Sequence, residues 1–254
     1  MRRGRALAIA LTVLASAAAG AVAQGFEPER ADPKNNIPYD GRFVFARIMY
    51  NRPPVGYDQF GRPDIKWDHD YPRAEQNFTR ILRELTKIRP YVDGGNVFAL
   101  DDPELTKYPV AYMAEPGFWT MTDAEAEGFR KYLQKGGFVI FDDFAGPQWF
   151  GFETQIRRAL PDARLTLLDA SHPIFDSFYR IESLEYEHPY FRGRSEFYGI
   201  FEDNDPAKRL LVIVNYNNDL SEYWEFSDTG QFPIALSNEA YKLGINYVIY
   251  GMTR

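Results

Sequence analysis

Residues 122–146, TDAEAEGFRKYLQKGGFVIFDDFAG, constrain the fold more tightly than any other part of the chain. Thr122 followed by Glu125 has the spacing of a capping box, which marks a helix start. Phe129, Tyr132 and Leu133 share one helical face. Gly136-Gly137 supplies the left-handed backbone that ends a helix. Phe138-Val139-Ile140-Phe141 is a short unbroken apolar run, the pattern of a parallel strand covered on both faces. Asp142 and Asp143 then fall at the carboxyl end of that strand, where open α/β sheets bind their ligands.

The rest of the chain repeats the alternation. Residues 42–50 (RFVFARIMY) read as a first strand. Pro72 opens a helix with an apolar stripe of Ala74, Phe78, Ile81, Leu82, Leu85 and Ile88. Further strands are predicted over 97–100, 109–114 and 164–168, with a helix from Gly146-Pro147 to about Leu160. The second half is more aromatic, with strands over 198–202 and 210–215 and a final helix over 237–250. Strands separated by helices predict a three-layer α/β sandwich with a largely parallel central sheet. One domain is expected over 42–254, preceded by an extended Pro- and Asn-rich arm over 24–41.

The N-terminus adds a location. Basic MRRGR, a short Ala-rich apolar run and Ala21-Val22-Ala23 before Gln24 form the pattern of a secretory signal peptide over 1–23. The expected location is exported, periplasmic or secreted, by the general or the twin-arginine route. No later apolar stretch is long enough to span a membrane. The formal net charge is −7, and losing Arg2, Arg3 and Arg5 with the leader makes the mature chain more acidic. Such a surface repels nucleic acid. The chain has no cysteine, which excludes disulfides, thiol catalysis and thiolate metal ligation.

No phosphate-binding loop, nucleophile elbow, dinucleotide fingerprint or HExxH helix is present. Four polar groups remain. Trp67-Asp68-His69-Asp70 leads into the first helix. Asp142-Asp143 closes the central strand. His172 precedes Pro173 after the fifth strand. Asn217-Asn218-Asp219 precedes Trp224-Glu225. In a parallel sheet the first three converge on one rim. Asp142, Asp143 and His172 are the candidates for acid–base work, and His69, Asp70, Asp142 and His172 for a divalent metal. Trp67, Asp68, Asp70, Asn218, Trp224 and Glu225 are candidates for holding a ligand between aromatic and polar groups. Each also has a structural reading: helix capping for Asp70, loop fixing for the aspartates, a turn for His172, a core position for Trp224.

An ordered series of these residues is similar to one bacterial family. It comprises Trp67-Asp68, Asp70-Tyr71-Pro72, Ala74-Glu75, Tyr132-Leu133, Gly136-Gly137-Phe138, Asp142-Asp143, His172-Pro173-Ile174-Phe175, Tyr223-Trp224-Glu225 and Leu243-Gly244-Ile245-Asn246-Tyr247. The chain resembles domain of unknown function 4159 from about Arg42 to its end. The resemblance implies a class I glutamine amidotransferase-like, flavodoxin-like fold and an envelope setting, but no activity. Amidotransferases place a nucleophilic cysteine after a central strand, whereas this chain has Asp142-Asp143 there. Two functions are therefore expected in order. The first is a non-catalytic binding or scaffolding domain of the cell envelope, with an unidentified envelope ligand or protein as partner and no cofactor. The second is a hydrolase that uses the Asp/His rim, with a divalent metal or by acid–base chemistry.

Overall fold

The computed structural model describes residues 30–57, 61–186, 189–191 and 193–254. The leader predicted over 1–23 lies outside the described residues. The strands are β1 (Phe45–Ile48), β2 (Gly95–Phe98), β3 (Val110–Ala114), β4 (Phe138–Phe144), β5 (Thr166–Leu167), β6 (Glu196–Phe201) and β7 (Leu210–Tyr216). The helices are α1 (Arg73–Leu85), α2 (Asp123–Gln134), α3 (Gln148–Ala159), α4 (Leu220–Glu225) and α5 (Ile234–Thr253).

The strands form one sheet in the order β2-β1-β3-β4-β7-β6-β5. The first five are mutually parallel, so β4 is central and runs with β1 through β3. The last two differ from the expected alternation: β6 runs antiparallel to β7, and the two-residue β5 runs antiparallel to β6 at the far edge. Residues 164–168 follow a helix, so their pattern reads like one more parallel strand. Sequence periodicity carries no direction of pairing.

Alternation within the strands feeds two cores. Phe45, Tyr112, Phe138, Ile140 and Ile213 pack under α1, α4 and α5. Ala46, Met113, Val139, Phe141, Val212 and Val214 pack under α2 and α3, against Phe129, Phe152 and Ile156. The result is a mixed α/β sandwich. The α2 capping box forms as expected: Glu125 N–H donates to Thr122 Oγ1 at 3.1 Å, and Thr122 N–H donates to Glu125 Oε2 at 2.6 Å. Gly136, at φ +103°, then turns the chain into β4.

Part of the arm is described. Asn36 lies against edge strand β2 and imitates a paired strand. Its Nδ2 donates to the Val97 carbonyl and its Oδ1 accepts from Val97 N–H, each at 2.7 Å. These contacts satisfy backbone groups that an open edge would leave unpaired.

Candidate functional site

The carboxyl edge of the parallel strands is built by the loop from Asp64 to Asp70 after β1, Glu115 after β3, Asp142 and Asp143 at the end of β4, and Asp219, Glu222 and Glu225 after β7. The crossover from β1 packs on one face of the sheet and the crossover from β3 on the other. The crevice between β1 and β3 is thus a topological switch point, where α/β sheets bind ligands.

Four non-glycine residues on this edge have left-handed backbone: Asp70 (φ 63°), Glu115 (44°), Asp143 (60°) and Asn217 (54°). Each such residue costs on the order of 1–3 kcal/mol and persists only where its surroundings over-determine it. At Asp143 the conformation coincides with a register break between Phe141 and Phe144. β4 therefore extends through both aspartates instead of ending before them, and the two side chains part company.

Asp142 turns inward. It is fully buried, and its Oδ2 accepts from Leu220 N–H at 2.8 Å, Ser221 N–H at 3.3 Å and the Tyr112 hydroxyl at 2.9 Å. Burial lifts it to about 7 against the pull of those bonds. Asp142 thus ties β4 to the start of α4. The Tyr112 oxygen also lies 2.7 Å from Ser221 Oγ, which is 2.5 Å from Asp70 Oδ2 and 3.2 Å from Asp219 Oδ1. A chain of hydroxyls thereby connects Asp142 to two rim carboxylates.

Asp143 turns to the rim. It is 8% exposed, and its carboxylate accepts no hydrogen bond among the described residues. Burial raises its pKa well above the ordinary value, and the charges of Asp219, Glu115, Asp70 and Asp142 add to that. A ligating atom from each of Asp70, Asp143 and Asp219 lies within 4.8 Å of the other two. The same holds for His69, Glu115 and Asp143, and for Asp70, Glu222 and Glu225. Asp219 is fixed as the α4 cap by Glu222 N–H at 2.9 Å, and burial with Asp70 and Asp142 raises it. Burial, with the Asp70 charge, lifts Glu222 to about 7 and Glu225 to about 8.

His69 sits between two acids. Nε2 is 2.7 Å from Asp64 Oδ1, and Nδ1 is 2.6 Å from Glu115 Oε1. Burial opposes its charge, but Glu115, Asp70 and Asp64 outweigh burial and raise it to about 9. Lys66 Nζ joins them, 2.8 Å from Asp64 and 3.3 Å from Glu115.

Behind the rim, Arg47 on β1 pairs with Glu75 on α1 at 2.6 Å, with neither side chain exposed. Burial alone would lower the guanidinium, but Glu75 and Tyr112 outweigh it and hold it above its ordinary value. Arg47 Nη1 also donates to the Trp67 carbonyl at 3.0 Å, which anchors the loop carrying His69 and Asp70.

Several predicted residues therefore meet: His69, Asp70, Asp143 and Glu225 line the rim, with Asp142 beneath. His172 does not join them. Its Nδ1 accepts from Ile174 N–H at 3.3 Å, and its ring packs on Phe201 and Tyr250. Phe201 pairs with Leu210 at the start of β7, so His172 stands at the amino edge of the parallel strands, opposite Asp142. The strand before it, β5, runs in the direction of β7, and the turn in which His172 N–H donates to the Asp169 carbonyl at 3.1 Å reverses the chain after it. Among the ligand candidates, Trp224 is buried against Phe78 and Tyr112, and Asn218 is buried with Oδ1 accepting from Asp219 N–H. Asp68 pairs with Arg30 at 3.2 Å, and Trp67 is half-buried against Val97 and its neighbours.

Glu115, Glu222, Asp64 and Ser221 were not among the predicted site residues, and Asp219 entered only as part of the Asn217-Asn218-Asp219 group. Glu115 had a usable signal, since it directly follows an apolar strand and so falls on the ligand edge. Asp219 follows β7 after Asn217 and Asn218 and caps the next helix. Ser221 and Asp64 carry no such mark.

Fold and rim together define an α/β domain with a carboxylate-rich site at the switch edge of its sheet. The chain belongs to the family described as domain of unknown function (DUF4159), whose model matches residues 44–252. Comparison with curated proteins returns no match.

Proposed function

We propose that this is an exported bacterial envelope domain that holds a divalent cation at the carboxyl edge of its sheet and binds an envelope ligand there. The observation that carries the reading is Asp143: a carboxylate buried in left-handed backbone, without a hydrogen bond among the described residues, within 4.8 Å of ligating atoms on Asp70 and Asp219. A buried charge without a partner is costly, and two more carboxylates beside it add repulsion, unless protons or a cation neutralise them. Oxygen donors of this kind suit Mg²⁺, Ca²⁺ or Mn²⁺. The order of the five parallel strands supports the flavodoxin-like reading, whose ligand crevice is the β1/β3 switch point. Thiol amidotransferase chemistry does not come with that fold, because the chain has no cysteine. The test is calorimetric titration of residues 24–254 with Mn²⁺. Saturable binding is expected in the wild type and none in Asp143→Asn; a wild type that binds no divalent cation overturns the reading. For export, N-terminal sequencing of the periplasmic protein should begin at Gln24.

A specific observation favours a hydrolytic second reading. Glu222 and Glu225 lie with Asp70 at the same rim and hold their protons near neutral pH. Carboxyl groups poised in that range beside a cation can move protons to and from its water.

A further inference from the structure

Asp143 belongs to two candidate ligand sets at once, and the two differ in chemistry. On one side it meets Asp70 and Asp219, an all-oxygen set; on the other it meets His69 and Glu115, which adds an imidazole nitrogen. A carboxylate has two oxygens and can give one to each neighbour. We propose that Asp143 bridges two divalent cations, one held with Asp70 and Asp219 and the other with His69 and Glu115. The inference rests on the cation reading above and extends it from one ion to a pair.

Three features beyond the acid cluster support the pair. Asp143 is more than nine-tenths buried, sits in left-handed backbone and has no hydrogen-bond partner among the described residues. His69 has the support that metal-bound histidines need. Its Nε2 is held by Asp64 at 2.7 Å, so that Nδ1 faces Glu115 and the rim, and a carboxylate on the far nitrogen fixes the ring and raises its basicity as a ligand. The outer oxygen ligands are equally fixed, Asp219 by Glu222 N–H and Asp70 by the Ser221 hydroxyl. Lys66 is nearer Asp64, at 2.8 Å, than Glu115, at 3.3 Å. A cation at Glu115 therefore competes with the longer of its two contacts. Two ions sharing one carboxylate, typically about 3.5–4 Å apart, form the arrangement that activates water between them for displacement at an ester or phosphoester.

Mn²⁺ accepts both donor sets, and it reports coupling between adjacent ions by electron paramagnetic resonance. Native mass spectrometry of the mature chain with Mn²⁺ should give two ions per chain, with an exchange-coupled spectrum. His69→Ala should retain one ion and show the six-line spectrum of an isolated Mn²⁺. Asp219→Asn should do the same from the other side, which keeps the test open if Asp143→Asn fails to fold. One ion in the wild type, unaffected by His69→Ala, overturns the pair while leaving the single-cation reading intact. Two ions without coupling overturn the bridge. No bound ion overturns both.

Discussion

Two groups of charges lie at or beneath the same end of the sheet, and they are solved differently. Arg47 and Glu75 lie under α1 as a closed pair, 2.6 Å apart, each the other's counter-ion. Asp70, Asp143 and Asp219 lie at the end of the same sheet with like charges facing one another, and the groups around them are mostly further acids. A buried pair with its complement built in has a structural task, here holding the Trp67 carbonyl and the rim loop. The second set, whose neighbours are mostly acids, is the one the proposed cation would neutralise. The two arrangements should respond in opposite ways when a charge is removed.

The largest effect is expected at the closed pair. Arg47→Met leaves Glu75 buried and unpaired and frees the Trp67 carbonyl. Breaking a buried pair from one side costs about 3–5 kcal/mol. Denaturant unfolding should show that loss, and the double variant Arg47→Met/Glu75→Leu should recover most of it. If the double variant is no better than the single one, the pair is not a self-contained unit.

The open set should respond to pH. Asp142, Glu222 and Glu225 are raised to about 7, 7 and 8, and Asp143 and Asp219 are raised as well. Between the ordinary carboxylate range and those values, the folded chain holds more protons than the unfolded chain. Stability therefore falls as pH rises through that window. His69 has the same sign: its contribution is complete below its ordinary value and is lost as pH passes about 9. Chelator-treated protein should melt several degrees lower at about pH 8.5 than at about pH 5.5, by calorimetry. Mn²⁺ should reduce that difference, because it binds the deprotonated carboxylates. A metal-free protein that is more stable at the higher pH would contradict this account.

Asp143→Asn sharpens the contrast, since here removing a charge should help. In chelator at the higher pH it is expected to raise stability by on the order of 1 kcal/mol and to shrink the pH slope, while abolishing the response to Mn²⁺. A loss comparable to that of Arg47→Met would mean that Asp143 has an internal partner after all.

The residues that made the fold readable are those whose local chemistry and burial agree. Thr122, Glu125 and Gly136 mark the helix, the Phe138 run marks the central strand, and their roles are the same in sequence and in space. The site was half legible for the same reason: Asp70 comes after β1 and Asp143 lies at the end of β4, and the carboxyl ends of those strands had to share an edge. His172 was misleading because its strand, β5, does point toward the carboxyl edge, but the chain turns back after it at Asp169 and carries the ring to Phe201. Ser221 and Glu222 were hidden because α4 lasts only six residues, too short for helical periodicity to show. Trp224 looked like a ligand platform because an aromatic beside acids has the same sequence pattern whether it faces a cleft or, as here, packs on Phe78.

The smallest expected effect is at His172, where the opposite edge supplies the opposite sign. Burial lowers its pKa, against a weaker upward pull from Asp169. The folded chain thus holds fewer protons at this group than the unfolded chain, and its contribution is lost as pH falls through the ordinary histidine range. His172→Ala should cost about 1 kcal/mol at neutral pH through lost ring packing with Phe201 and Tyr250. That cost should shrink in acid, where wild-type His172 must be protonated in its half-buried site. Mn²⁺ binding should be unchanged, since the ring stands across the sheet from Asp143. If His172→Ala weakens the cation as His69→Ala does, the assignment of roles to the two edges is wrong, whatever the outcome at the rim itself.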